Sequence, residues 1–374
     1  MNAQSKSFSR RGALRLAGIA GLTATAAAAL AACGGESAPA TAPNTSGPKT
    51  PAKELRALCW EGYTDASFAK GFTEQYGTEI KSTFIGSNDE LVAQLTGGAG
   101  QFDIISPSVD TTQSLIEAGL VQPLETAWIP NLHNTYDMFR TNKAVQGQGG
   151  TYGVPMCWGF VPVIYDRKKV NGTVDSWSVL WDKQHAGQIT VWDDITTIYN
   201  TALLLGITDV YKMSKDQLGQ VREKLMEQKP LLTKYWATAG ELTNLFRSGE
   251  VVVGDSFGGF TLPQLRANGM DAVEVIPKEG ATAWVDFWMV PAQSNNLYTA
   301  ALWMDYIQRP EVQAQVNKFT GYAPTNVKTA GLVSPDVVKQ YSLDDAKNFD
   351  RLLFWQKVEN RQAYLDLLVG VKAS

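Results

Sequence analysis

Residues 54–60, Glu54-Leu55-Arg56-Ala57-Leu58-Cys59-Trp60, decide how the fold is read. A short mixed-apolar run of this length reads as a strand. Beyond it Glu61-Gly62-Tyr63-Thr64 turns the chain, and 66–76 carries Phe68 and Phe72 on one helical side until Gly77 stops it. Residues 79–85 read as a second strand. Ser87 then caps a helix over 88–95, with Glu90 three residues on as a capping box, and Gly97-Gly98-Ala99-Gly100 ends it. Residues 102–106 form a buried strand broken by Pro107-Ser108, and a helix follows over 112–118. This alternation of strand and helix predicts an α/β lobe with a mostly parallel sheet.

The same rhythm resumes downstream. Residues 152–165 are apolar and strand-like, and their Pro and Gly content implies a bend or a crossing between lobes. A capped helix start at 175–181, a strand at 188–193 and helices at 194–205 and 215–228 come next. Residues 240–247 and 251–254 repeat helix and strand, which predicts a second α/β lobe. Two further helices fall at 299–308 and 310–319, and 343–372 reads as helical.

A chain of 374 residues has room for two cores, and 44% hydrophobic with 19% charged residues fits a soluble globular protein. The net charge is −4. Residues 1–32 hold Lys6, Arg10, Arg11 and Arg15 and no acid, so the remainder carries 29 basic against 37 acidic residues, or −8. That excess argues against nucleic-acid partners and favours cationic ones. The two histidines, His133 and His185, have no metal-ligand spacing, and Cys33, Cys59 and Cys157 form no CxxC pair. No metal or cofactor is therefore expected, and Ser-His-Asp or Cys-His catalysis has little support.

Ser9-Arg10-Arg11-Gly12-Ala13-Leu14-Arg15 resembles a twin-arginine export signal. A short Ala-rich apolar run follows, and then Leu30-Ala31-Ala32-Cys33, which resembles a lipobox. Residues 1–32 are thus expected to be a signal peptide, with Cys33 lipidated, and 33–53, rich in Pro, Gly, Ser and Thr, a flexible linker. Outside the cytoplasm Cys59 and Cys157 either pair or stay as free buried thiols.

Ala283-Trp284-Val285-Asp286-Phe287-Trp288 packs three aromatics around one carboxylate, between a Pro277-Lys278-Glu279-Gly280 turn and Pro291. On a strand Trp284 and Asp286 would share one face. An indole and a carboxylate aimed into one cavity suit an organic cation. The other reading is a core tryptophan beside a surface aspartate.

In order and spacing, Cys59-Trp60-Glu61-Gly62-Tyr63, Phe102-Asp103-Ile104-Ile105-Ser106-Pro107-Ser108 and Val154-Pro155-Met156-Cys157-Trp158-Gly159 carry a resemblance. Ser176-Trp177-Ser178-Val179-Leu180-Trp181, Asp193-Asp194, the 277–280 turn, Trp284-Val285-Asp286 and Gly321-Tyr322 extend it. Together they resemble the bacterial spermidine/putrescine-binding protein family, the periplasmic solute-binding components of polyamine-type ABC transporters. The resemblance implies an α/β, two-lobed periplasmic binding protein fold of type II with a ligand cleft between lobes. It implies an N-lobe of 54–159 plus 286–330 and a C-lobe of 160–285 plus 331–374. It also implies ligand contacts at Trp60, Tyr63, Ser108, Asp194, Trp284, Asp286, Tyr322 and Gln356, with rings around a methylene chain and acids on amino groups.

Four further candidate positions depart from the family pattern. Glu61 stands one place from the usual acid, Asp110 where a tyrosine is usual, Thr197 where an acid is usual, and Phe257 where a tryptophan is usual. A buried ammonium without a partner is costly, so losing the acid at 197 favours a diamine or a single cationic head group over spermidine. Glu61 and Asp110 face either the cleft or solvent.

The expected protein is a monomeric receptor in the periplasm or at the cell surface, lipid-anchored and not an enzyme. It would bind a small cationic organic ligand and pass it to an ABC transporter permease. One alternative is a carboxylated amine such as an opine or amino acid, or a metal complex, with Arg247 or Arg266 as a carboxylate clamp. Another is a secreted hydrolase using Asp194 and Asp286 as an acid/base pair.

Overall fold

The computed structural model describes residues 42–97, 102–341, 343 and 352–374. The expected signal peptide, Cys33, most of the linker's first half, and residues 98–100 and 344–351 of the expected elements lie outside the described residues. Among those described, no helix is long and apolar enough to cross a membrane.

Two sheets organise the chain. The first runs in the order Ala323–Pro324, Gly153–Phe160, Thr282–Pro291, Ile104–Ile105, Glu54–Trp60, Glu79–Ile85. Glu54–Trp60 pairs in parallel with both Glu79–Ile85 and Ile104–Ile105, linked by the helices Ala66–Tyr76 and Asn88–Thr96. Gly77 closes the first of these helices in a left-handed conformation, as the sequence suggests, and Asp65, not singled out from the sequence, caps its start. At the second, Ser87 accepts from the Glu90 amide, but Glu90 turns back to the Gly86 amide rather than to Ser87, so the box closes one residue early. The second sheet runs Leu232–Trp236, Ile189–Trp192, Val253–Asp255, Val163–Asp166, Ala272–Val275. Its first three strands are parallel and the last two antiparallel to their neighbours.

The apolar stretch at 152–165 becomes two strands, one in each sheet, and the chain crosses at Val161-Pro162, where proline cannot donate to a ladder. It returns between Ala272–Val275 and Thr282–Pro291 through the Pro277–Gly280 turn. The junction expected at 286 therefore falls inside a strand: Ala283, Trp284 and Val285 pair with Phe160, Gly159 and Trp158 in the first sheet. The C-terminal stretch divides as well. Leu353–Phe354 pairs with Thr282-Ala283, while the helix Arg361–Ala373 packs on Lys215–Gln228 beside the second sheet.

Other differences are local. Residues 177–181 wind as a tight 3-10 turn capped by Ser176 rather than as an α-helix. Leu232–Trp236 and Ala272–Val275 carry exposed and half-buried residues of mixed polarity, so neither announces itself as a strand. Cys59 and Cys157 are both buried and unpaired.

Candidate functional site

Ligands of open α/β sheets gather beyond the carboxyl ends of parallel strands. Here both sheets point those ends at each other. Trp60 and Ile85 are the last residues of their strands, and Ser108 follows Ile104–Ile105. Opposite them Trp192 ends its strand, Ala237 and Thr238 follow Trp236, and Phe257 follows Asp255. Trp284, Asp286, Tyr322 and Trp355 close the remaining walls of a cavity of about 450 Å³, which includes its open mouth.

The first wall depends on a turn. The Tyr63 amide donates to the Trp60 carbonyl at 3.3 Å, and Gly62 holds φ at +89°, the geometry that a type II turn demands of its third residue. Trp60 and Tyr63 then both face inward, and the half-buried Glu61 reaches toward the opposite wall. Its Oε1 lies 3.4 Å from where a Cβ on Gly240 would sit, at the start of the helix Ala239–Ser248 in the opposite wall.

The strand Thr282–Pro291 supplies the floor. Trp284 and Asp286 share its inner face, as alternation requires. The register shifts immediately afterwards: Asp286 pairs with Cys157 but Phe287 with Pro155, leaving Met156 as the extra residue of a bulge. Gly159 lies beneath the Trp284 ring, where a Cβ would come within 2.6 Å of Cζ2.

Asp286 is buried, and the Tyr63 hydroxyl donates to its Oδ2. Tyr63 in turn accepts from the Cys157 thiol at 3.1 Å. Among the described residues, Asp286 Oδ1 is the one buried carboxylate oxygen that meets no donor in full hydrogen-bond geometry, although the Ser108 side chain lies near enough to favour the ionised form. Burial pushes its pKa up to about 7, although Ser108 and Tyr63 both favour the ionised form. An unpaired carboxylate oxygen inside a desolvated cavity calls for a donor or a cation.

Aromatic rings surround it. Trp60 meets Trp192 and Phe257 edge-on at 6.4 and 6.3 Å, and Trp284 meets Tyr322 at 4.7 Å. Trp192 stacks on Trp236 at 5.4 Å. The buried Asp255 fixes that pair, accepting from the Trp192 amide at 2.8 Å and the Trp236 indole at 3.0 Å, with Asn200 completing the set at 3.2 Å. None of its donors is charged, so burial dominates and raises its pKa to about 7. The Trp284 indole donates to the Phe257 carbonyl at 2.8 Å, joining the two walls. Ring faces around one acid attract organic cations.

Of the residues singled out in the sequence, Trp60, Glu61, Tyr63, Ser108, Phe257, Trp284, Asp286 and Tyr322 line this cavity. Four do not. Both oxygens of Asp110 are engaged, by Arg361 at 2.8 Å and Asn88 at 3.3 Å. Asp194 accepts from the Thr196 amide and hydroxyl at the start of its helix, and Thr197 donates to the Trp192 carbonyl at 2.7 Å. Gln356 is exposed, and its neighbour Trp355 takes the inward place. Arg247 and Arg266 are both exposed, and Arg266 donates to the Ala272 carbonyl, so neither clamps the cavity. The sequence reading missed Trp192, Trp355, Ile85 and the 237–239 turn. Trp192 was findable, since it sits two residues before Asp194 at a strand end. Among the described residues no group of His, Cys, Asp and Glu could hold a metal ion.

Two α/β sheets facing each other across a cavity at their carboxyl ends, joined by repeated chain crossings, define a two-lobed binding protein of the periplasmic type. The structure of a spermidine/putrescine ABC transporter protein from Listeria monocytogenes superposes with a TM-score of 0.78 at 23% identity, covering 86% of this chain and 99% of that one. Residues 102–349 match the family described as bacterial extracellular solute-binding protein, and the chain belongs to that family. It is 26% identical over 288 residues to the spermidine/putrescine-binding periplasmic protein of Salmonella typhimurium, spanning 76% of this chain and 81% of that one. It is also 24% identical over 325 residues to the putrescine-binding periplasmic protein PotF of Escherichia coli, spanning 82% and 87%.

Proposed function

We propose that this protein is an extracytoplasmic receptor that captures a small organic amine in the cleft and delivers it to an ABC importer. The observation that carries the reading is the unpartnered Asp286 Oδ1, buried among Trp60, Trp284, Tyr322 and Phe257. An ammonium placed there replaces the missing donor, and the rings take its alkyl body. The relatives named for spermidine and putrescine agree with this chemistry. No lysine or arginine stands among the described cavity-wall residues, so a zwitterion's carboxylate would lack a charged partner. A hydrolase is disfavoured too, because Asp194 is tied to Thr196 and does not reach the cavity beside Asp286.

In this reading Cys33 carries a lipid anchor, residues 34–53 tether the protein to its membrane, and the mature protein works as a monomer. One lobe is built on 54–160 and 282–330, the other on 161–281 with the C-terminal helix. Trp284 and Phe257, joined by their indole–carbonyl hydrogen bond, hold the two lobes together beside the ligand. A thermal-shift screen against polyamines, monoamines, opines and amino acids tests the reading. A ligand at one hundred times its Kd stabilises the folded state by about 2.7 kcal/mol. Amines should raise the melting temperature in the wild type, with Asp286→Asn and Trp284→Ala each losing ten-fold or more in affinity. Stabilisation by amino acids alone would overturn the reading.

A further inference from the structure

An indole nitrogen can only donate, and a buried one without an acceptor is unfavourable. Trp158, Trp177, Trp181, Trp236, Trp284 and Trp288 meet that demand within the protein, each giving its N–H to a carbonyl, a carboxylate or a methionine sulfur. Trp60, Trp192 and Trp355 do not: their Nε1 atoms are buried and no protein group accepts from them. All three line the cavity, with exposures of only 9, 2 and 5%. They also stand together, the Trp192 ring lying 6.4 Å from that of Trp60 and 6.1 Å from that of Trp355. Neighbouring ring faces accept such a proton only weakly. A further unmatched indole, Trp303, lies in the first-lobe core against Phe72 and Trp288 and does not line the cavity.

We propose that Trp60, Trp192 and Trp355 form an acceptor-binding subsite in the cleft, so that the ligand is an amine whose other end carries an uncharged carbonyl, an amide above all. This rests on the amine reading above and names the ligand class within it. The donors are set in advance. The Trp192 amide is bonded to Asp255 and its ring stacks on Trp236, while the Trp355 amide donates to the Ala283 carbonyl at 2.8 Å. A second ammonium would bring donors to a group that has only donors, and a hydroxyl would bring a proton that no indole can accept. A carboxylate would accept, but no lysine or arginine stands among the described cavity-wall residues. Glu61 lines the same cavity, with Oε1 3.4 Å from the site of a Cβ on Gly240, and adds negative charge there. Burying a charge without a partner is more costly than burying a neutral acceptor. A carbonyl oxygen offers two lone pairs and no proton, and an amide nitrogen beside it has N–H groups to give to Glu61.

The test is calorimetric titration of the protein with 4-aminobutanamide, 5-aminopentanamide and 6-aminohexanamide, each set against the n-alkylamine, the diamine and the ω-amino acid of the same chain length. The tightest amide should exceed its three counterparts by about ten-fold or more. Trp192→Phe and Trp355→Phe keep a ring but lose the N–H; each should lower amide affinity about three-fold or more and change alkylamine affinity less than about two-fold. In the isotope-labelled wild type, the indole N–H resonances of Trp60, Trp192 and Trp355 should move downfield with the amide and little with the alkylamine, while that of Trp303 stays in place. This second readout does not depend on how well the variants fold. Resonances left unmoved by saturating amide overturn the inference, as does an alkylamine or a diamine that binds as tightly as the amide; in both cases amine binding stands. Tightest binding of the ω-amino acid overturns it as well, since the acceptor is then charged. If no amine of any kind binds, the amine reading itself falls and takes this one with it.

Discussion

Affinity for a permanently charged ligand should depend steeply on pH, and Asp286 sets the dependence. The empty site holds this carboxyl with a pKa of about 7, because burial opposes the ionised form. A cation binds the ionised form, so binding below pH 7 must first remove a proton. At pH 8 roughly nine-tenths of the empty sites are ionised, and at pH 5.5 about 3%. Affinity should therefore fall about thirty-fold between those values, or ~2 kcal/mol. Calorimetry with a quaternary ammonium such as choline or tetramethylammonium isolates the effect, since such a ligand has no proton to lose. Repeating the titration in buffers of different ionisation enthalpy should reveal about one proton released per ligand near pH 6. Asp286→Asn should bind at least ten-fold more weakly at pH 8 and show a much flatter profile. A pH-independent affinity in the wild type, or an unchanged profile in Asp286→Asn, would refute the reasoning.

Three further outcomes follow from the same geometry. In the ligand-free protein Asp286 keeps a proton between about pH 4 and 7 that the unfolded chain has lost, so its contribution makes stability rise as pH falls through that window; Asp286→Asn should remove up to about 4 kcal/mol of that dependence in urea melts, with Asp255 still contributing its own. Gly159→Ala would drive a methyl to within 2.6 Å of the Trp284 ring; it should lower affinity at least ten-fold and cost about 1–3 kcal/mol of stability, and a fully active variant would contradict the proposed ring position. Cys59, whose pKa burial raises to about 12, and the similarly buried Cys157 should resist alkylation in the native protein and react on unfolding, whereas fast native labelling would mean that the Tyr63–Cys157 contact opens readily.

Much of this architecture was readable because local signals agreed. Ser87 and Gly77 mark helix ends by their own hydrogen bonds, and 54–60 and 79–85 are strands in both sequence and structure. Thr282–Pro291 was harder: all ten of its residues are buried, so the alternation that betrays a half-exposed strand is missing. The inward placing of Trp284 with Asp286 still followed from period two alone. What local reading could not see were long-range pairings. Asp110 turns from the cavity because an arginine 251 positions away reaches it. Trp355 displaces Gln356 because a two-residue strand docks on Thr282-Ala283 and fixes which neighbour points inward. Sequence spacing carries no trace of either contact.

The most direct measurement is a crystal structure of the protein with its tightest-binding amine. The ligand nitrogen should lie about 2.7–3.2 Å from Asp286 Oδ1, with Trp60, Trp284 and Tyr322 around its alkyl part. A ligand seated elsewhere, or one that turns a carboxylate or hydroxyl toward a protonated Asp286, would contradict the account.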